Sequence, residues 1–179
     1  MQLHATPLAG AYLIDITPVE DERGLFARTV CAETFARHGL VSQFVQQSVS
    51  WNPHQGTLRG LHFQAASHRE TKLVRVTRGA NFHVIADLRP ASGTRGQVFA
   101  ATLSAANRRQ LYIPAGMAHG FQSLEPNTEV LYQMDTPYHG PSARGLRWDD
   151  PVLAIAWPPC PARRISAQDL AWPLFSSPL

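Results

Sequence analysis

The sequence predicts an all-β protein, built as a sandwich or barrel with a few short helices. Apolar stretches that alternate in period two recur along most of the 179 residues, and this spacing is typical of short strands. Gly and Pro stand between the stretches, as expected for strands joined by turns. With 44% hydrophobic and 16% charged residues, the chain can bury one full core, so we expect a single domain over residues 1–179.

Seven strands are predicted directly from these patterns. The segment 71–77 shows the alternation most clearly, and the turn signal Arg78-Gly79 follows it. Two more segments end at proline, with Arg89-Pro90 after one and Pro114 after the other. In chain order the predicted strands span residues 11–16, 44–48, 71–77, 82–88, 97–103, 110–113 and 129–134.

Two helical segments interrupt the strand pattern. Residues 32–38 are the best helical stretch, and Gly39 follows as a helix stop. Near the other end, Ser166 precedes Asp169 by three positions, which resembles a capped turn that opens a short helix.

The composition excludes several classes of protein. No apolar run is long enough to cross a bilayer, and the N-terminus lacks the basic and apolar regions of a signal peptide, so we expect a cytoplasmic protein. Cys31 and Cys160 have no metal-type spacing, and no disulfide is expected. The formal net charge is only +3 and the arginines form no run, which argues against nucleic-acid binding. A phosphorylated small molecule gripped by a few arginines remains compatible with this charge.

Lys72 is the only lysine, because arginine supplies the other fifteen basic residues. A compact ammonium can sit against a developing oxyanion in a way that a planar guanidinium cannot. The alternative is a solvated surface lysine without a special role.

Two motifs have the skeleton of a cupin barrel. Gly56 precedes His62 by six positions, and Pro114 to His119 reads P-x-G-x-x-H. Metal-binding cupins carry a second histidine where this chain has Gln64, and an amide is a poor ligand for a transition metal. We therefore expect neither a metal nor another cofactor. A metal site formed by His62, His68 and His119 is kept as an alternative.

With these motifs in place, the chain resembles the dTDP-4-dehydrorhamnose 3,5-epimerases and their nucleotide-sugar epimerase relatives. The matching segments are Asp21–Gly24, Phe44–Gln46, Leu58–His62, Lys72–Arg75, Leu103-Ser104, Arg109-Gln110, Ile113-Pro114, Ala118–Phe121, Leu131-Tyr132, Arg144-Gly145, Arg147-Trp148, Asp150-Pro151, Trp157-Pro158 and Ser166 with Asp169. The resemblance implies a cupin-type jelly roll, and a metal-free homodimer that exchanges N-terminal strands. It also implies a nucleoside-diphosphate 4-keto-6-deoxyhexose as substrate, inverted at C3, C5 or both.

The resemblance assigns four catalytic residues whose chemistry suits proton transfer next to a ketone. His62 matches the base, and Asp169 would accept the other ring N–H. Lys72 would face the C4 oxygen and stabilise the enolate. Tyr132 would return a proton on the opposite face. Taken singly, His62 could be a core histidine, Asp169 a helix-start residue and Tyr132 a packing aromatic.

The remaining matches concern substrate binding. Arg23, Gln46 and Arg59 match positions that grip the diphosphate and sugar, since guanidinium groups suit phosphate oxygens. His119 and Tyr138 match further pocket positions, and Phe26 matches an aromatic that stacks on the base. Ordinary packing for Phe26, a core position for His119 and a carboxylate partner for Arg59 are the alternatives.

Three departures from the family pattern affect the expected pocket. His83, which we also expect among the substrate-binding residues, replaces an aspartate beside Lys72, and Arg28 replaces a glutamate near the nucleoside. Residues 46–50 read Q-Q-S-V-S where the family has Q-D-N-x-S. These changes leave the catalytic set intact but leave open a different nucleotide or epimerisation at a single carbon. A cupin-fold sugar-nucleotide binding protein, or a metal-dependent cupin enzyme, is the alternative function.

Overall fold

The computed structural model describes residues 1–175 and contains thirteen strands in that range. The strands are β1 (Gln2–Ala5), β2 (Tyr12–Asp15), β3 (Val19–Asp21), β4 (Gly24–Phe26), β5 (Gln46–Asn52), β6 (Leu58–Gln64), β7 (Lys72–Arg78), β8 (Ala80–Asp87), β9 (Val98–Ser104), β10 (Gln110–Ile113), β11 (Met117–Ser123), β12 (Thr128–Met134) and β13 (Ala143–Gly145). The α-helices are α1 (Ala32–Arg37) and α2 (Ala167–Leu170), and short 3-10 helices span Ala66–His68 and Gly140–Ser142.

Two sheets form the body of the protein. The six-stranded sheet has the order β1-β2-β10-β7-β12-β5, and the five-stranded sheet has the order β13-β6-β11-β8-β9. All strand pairs within these sheets are antiparallel, and many neighbours in space are distant in sequence. This is the jelly-roll arrangement that was predicted, so the cupin-type fold class is confirmed.

The main core lies between the sheets. Val74, Leu111 and Val130 of the six-stranded sheet pack with Ile85 and Phe121 of the five-stranded sheet, and all five are buried. Each strand directs alternate residues inward, so the period-two pattern of the sequence becomes the contact surface of the two layers.

Two smaller clusters cover the outer faces of the sheets. Helix α1 inserts Phe35 against Ile14, Leu73 and Tyr112 on the six-stranded sheet. The segment after β13 covers the five-stranded sheet, where Leu146 and Leu153 pack on its outer face with Leu61, Val84, Ala86, Leu88 and Ala118.

All seven predicted strands and both helical segments are present, with most ends shifted by one to four residues. Gly39 follows α1 at φ +67°, and Ser166 caps α2 by accepting a hydrogen bond from the N–H of Asp169 at 3.0 Å. The predictions missed the short strands β1, β3, β4 and β13, and also β6 and β11, which carry the two cupin motifs. Their glycines and buried polar residues hide the apolar alternation by which strands are recognised.

Strands β3 and β4 form a separate hairpin in which every residue is exposed. At an edge of the six-stranded sheet, β5 carries the exposed apolar side chains of Val49 and Trp51. Across residues 1–175, helices are too short or too polar to cross a membrane.

Candidate active site

Two adjoining cavities of about 350 and 270 Å³ open between the sheets. They share Ser48, His62, Lys72 and Tyr132 as lining residues. His62 lies on β6 of one sheet, whereas Lys72 and Tyr132 lie on β7 and β12 of the other. Three of the four predicted catalytic side chains therefore meet at one site although they are far apart in the sequence.

The fourth, Asp169, reaches the same site from helix α2. Its Oδ1 lies 2.6 Å from Nε2 of His62, and its side chain is almost completely buried. The backbone N–H of Gly60 donates to Oδ2 at 3.2 Å, and Nε1–H of Trp172 donates to Oδ1 at 3.2 Å. Burial alone would raise the pKa of Asp169, but these hydrogen bonds, with that to His62 the strongest, leave it below its usual value.

An ionised Asp169 accepts the Nε2–H of His62 and so fixes the tautomer of this imidazole. Nδ1 then carries the lone pair, and it has no hydrogen-bond partner within residues 1–175. The side chain of His62 is 44% exposed, so this base can reach a bound ligand.

Two glycines allow this arrangement to form. Gly60 adopts φ +106°, and a Cβ there would lie 2.7 Å from Gly120 Cα. Gly145 pairs with His62 across β13 and β6, and a Cβ there would lie 2.5 Å from the Trp172 ring. Larger residues would displace the backbone or the indole that hold Asp169.

Lys72 begins β7, and its ammonium lies 3.0 Å from Oε1 of Glu70. Both side chains are nearly buried, with exposed fractions of 12% and 9%, and both line the larger cavity. Sequence reasoning missed Glu70. The only hint in the sequence was the position of Glu70 two residues before the sole lysine. Nothing in the sequence showed that the two side chains would turn toward each other.

Tyr132 approaches the site from the sheet opposite His62. Burial raises the pKa of this phenol, although the charge of Arg59 has a smaller lowering effect. Tyr132 therefore keeps its proton at neutral pH. Its ring makes an edge-on contact with His119, with centroids 6.0 Å apart. A base and a protonated phenol thus face one cavity from two walls.

His119 lines the smaller cavity, and Nδ1 of the buried His83 lies 3.0 Å from its Nε2. The structure places the fully enclosed ring of His83 against His119, and His83 lines neither of the two cavities. Burial lowers the pKa of His83 to about 3. Burial also lowers the pKa of His119 well below its usual value, and His83, Lys72 and His62 add to this effect. Both imidazoles are neutral at physiological pH.

Three predicted binding residues also reach the cavities. Gln46 and Tyr138 line the larger one, where Oε1 of Gln46 accepts the backbone N–H of Tyr138 at 2.8 Å. Arg59 lines the smaller one, and its Nε donates to the Asn52 side chain at 2.9 Å. Within residues 1–175 the side-chain partner of Arg59 is the amide of Asn52, so the structure does not show the alternative of a carboxylate pair.

Arg23 and Phe26 are not brought to the site within one chain. Both lie on the β3–β4 hairpin, where Arg23 pairs with Asp21 and Phe26 is 78% exposed. Neither lines the cavities that contain His62.

The alternative metal site is not formed by the described part of the chain. His68 stacks on His139 with ring centroids 3.8 Å apart. Gln64 uses its amide on Glu70 and on the backbone of His139. Among residues 1–175 no group of three His, Cys, Asp or Glu side chains is arranged to hold a metal ion.

Trp172 was also missed, although it supports Asp169 and makes an edge-on contact with His62. The signal that could have revealed it is the three-residue spacing from Asp169, which places both side chains on one side of a helical turn.

A jelly-roll barrel with a His–Asp pair, a lysine and a protonated tyrosine around one cavity defines an isomerase that moves protons next to a carbonyl group. The model of the dTDP-4-dehydrorhamnose 3,5-epimerase family matches residues 5–177. The chain belongs to this family.

Individual proteins agree with the family model. The dTDP-4-dehydrorhamnose 3,5-epimerase of Sinorhizobium fredii is 38% identical over 97% of this chain and 89% of its own length. The crystal structure of the same enzyme from Elizabethkingia anophelis superposes with a TM-score of 0.94 at 37% identity, covering 98% of this chain and 96% of that one. A 3'-monoepimerase from Streptomyces bikiniensis, solved with dTDP-quinovose, gives a TM-score of 0.89 at 26% identity over 96% and 87% of the two chains. These relatives support an enzyme over a binding protein.

The burial of His83 and His119 leads to a prediction of how the stability of the protein depends on pH. Unfolded, His83 takes up a proton near its ordinary pKa of 6.5, whereas the folded protein resists protonation down to about 3. The unfolded state therefore binds more protons in this window. The free energy of unfolding should fall with decreasing pH by about 1.4 kcal/mol per pH unit for each such group.

Urea unfolding at several pH values between these limits measures this slope. His83→Asn should reduce the slope, because one buried titrating group is lost. His54→Asn, at an exposed histidine, should keep the wild-type slope. Equal slopes for His83→Asn and the wild type would contradict the assignment of a neutral buried pair.

Proposed function

We propose that this protein epimerises a nucleoside-diphosphate 4-keto-6-deoxyhexose at C3 and C5. The observation that carries the proposal is that two groups able to exchange a proton lie on opposite walls of one cavity. The His62–Asp169 pair and Tyr132 face one cavity from different sheets, and Lys72 lines the same cavity. Inversion of a carbon needs removal of a proton from one face and its return to the other, which is what this arrangement supplies.

The reaction begins at Nδ1 of His62, which takes the proton from the carbon next to the ketone. The electrons of the broken C–H bond move into the C–C bond and onto the C4 oxygen, which gives an enolate. The ammonium of Lys72 stabilises this charge. Asp169 stabilises the imidazolium through its short hydrogen bond.

The second half of the reaction uses the opposite wall. The phenol of Tyr132 donates its proton to the other face of the carbon, and the ketone forms again with inverted configuration. Tyr132 then regains a proton and His62 releases one, both through solvent. Abstraction and return thus occur at different residues.

Substrate binding completes the proposal. Arg59, Gln46, Tyr138 and His119 would contact the sugar and diphosphate from within one chain, and the relatives that match are named for dTDP-linked sugars. We infer that a nucleotide sugar occupies both cavities and that the reaction takes place in the cytoplasm, where nucleotide sugars are made.

We further propose that the active unit is a homodimer. Arg23 and Phe26 are exposed on a hairpin, and β5 offers an open sheet edge with the apolar side chains of Val49 and Trp51. Open edges of this kind are normally covered. The N-terminal segment of a second copy would cover the edge. It would also carry its Arg23 and Phe26 to the part of the cavity where the nucleotide would bind.

Deuterium exchange separates the two proton carriers. His62→Ala should remove deuterium incorporation from deuterated water at C3 and C5, because the base that starts the reaction is gone. Tyr132→Phe removes only the phenolic hydroxyl and leaves the ring, so deuterium should still enter while net inversion is lost. The measurement is NMR of a dTDP-4-keto-6-deoxyglucose substrate. Retention of normal exchange in His62→Ala would overturn the mechanism.

Replacement of Lys72 should act on both processes together, because exchange and inversion share the enolate. Lys72→Met should slow both by roughly 10²–10³-fold, the scale for loss of one oxyanion donor. Lys72→Arg should recover activity only in part, since a planar guanidinium does not fit a point-charge site. Exchange that survives in Lys72→Met while inversion fails would contradict this role.

Mixing two inactive variants tests the dimer. If Arg23 acts in the site of the partner, a mixture of Arg23→Ala and His62→Ala chains forms dimers with one intact site, and activity should return on subunit exchange. A mixture of Arg23→Ala with the double variant lacking both residues has no intact site and should stay inactive. A sedimentation mass near one 19.8 kDa chain would argue against any dimer.

A further inference from the structure

A chain of three polar contacts ends on the ammonium of Lys72. The backbone N–H of His139 donates to Oε1 of Gln64 at 2.7 Å, which fixes the orientation of that amide. Nε2 of Gln64 therefore points the other way and donates to Oε2 of Glu70 at 3.2 Å. The remaining oxygen of Glu70 lies 3.0 Å from Nζ of Lys72.

We propose that Glu70 is a positioning residue that holds the ammonium of Lys72 at the C4 oxygen of the substrate. This inference rests on the proposed function for the role of Lys72. The contact itself stands on the structure alone. Glu70 acts through Lys72 and has no proton-transfer step of its own.

The two neighbours of Glu70 explain why a carboxylate is needed at this position. Lys72 and Gln64 both present donors, so residue 70 must offer two acceptors. A carboxylate does so, whereas an amide has one acceptor and one donor. Glutamine at position 70 would set its NH₂ group against either Lys72 or Gln64. Because both side chains of the Lys72–Glu70 pair are nearly buried, this mismatch cannot be relieved by turning into solvent.

The charges around the site also support the role of Glu70 as the partner of Lys72. His83, at the position where the family pattern has an aspartate, is a neutral imidazole bound to His119. In the described chain, Glu70 is the carboxylate that forms an ion pair with Lys72. The anion that offsets the charge of the lysine is therefore supplied by the segment before β7 and not by β8.

The sole lysine allows a direct test that needs no enzyme activity. Protein labelled with ¹³C at the lysine ε carbon should give signals from Lys72 alone, because no other lysine is present. A held side chain gives separate shifts for its two ε protons. In Glu70→Gln these should merge as the ammonium becomes mobile. The matched control is Glu129→Gln, whose carboxylate accepts from Thr77 at 2.6 Å, and it should keep the wild-type signals.

Kinetics provide the second readout. Glu70→Gln should lower kcat by about 10- to 100-fold, the scale for displacement of a reacting group, while KM changes little because the substrate contacts remain. Gln64→Met removes one of the two donors that hold Glu70 and should produce a smaller change in the same direction. Both variants are first checked for wild-type melting behaviour.

The outcomes separate this inference from the proposed function. Merged signals together with lower kcat support both. Merged signals in a protein that does not epimerise any 4-ketosugar support the contact and overturn the proposed function. Unchanged ε-proton signals in folded Glu70→Gln overturn the inference, whatever the activity. A fall in kcat equal to that of Glu129→Gln also overturns it.

Discussion

The hydrogen bond between Nε2 of His62 and Asp169 connects the C-terminal helix to the strand at the centre of the site. These residues lie 107 positions apart, so the bond forms only when α2 packs against the barrel. Gly60 leaves room on one side because it has no Cβ, and Gly145 leaves room for Trp172 on the other. This one contact joins the imidazole of His62 to the carboxylate that orients it and to the helix that closes the chain over the sheet.

Around this bond, burial and hydrogen bonding decide which side chains of the site are charged. His83 and His119 are enclosed and stay neutral, because nothing nearby compensates a buried imidazolium. Lys72 keeps a carboxylate at hydrogen-bond distance, and Asp169 stays ionised through three donors. The proposed enolate would thus form beside the ammonium of Lys72, and the buried His83 and His119 add no charge there.

Two of the predicted binding residues do not reach the cavities within a single chain. Arg23 and Phe26 stand on an exposed hairpin, while a sheet edge with apolar side chains lies open. Exposed aromatic and edge-strand surface is normally covered in the working assembly. The proposed dimer accounts for both features with a single contact, because the partner supplies what the cavity lacks and covers the open edge.

Local patterns in the sequence were sufficient to predict the fold class, seven strands and both helices, since alternation and turn residues act over a few positions. The matched motifs likewise indicated His62, Lys72, Tyr132 and Asp169, and the structure brings all four together. Strands β6 and β11 escaped because buried glycine and histidine break the apolar pattern. The partnership of Lys72 with Glu70, and of His83 with His119, was decided by tertiary structure. Which donor meets which acceptor depends on how strands distant in sequence lie beside one another, and no local pattern carries that register.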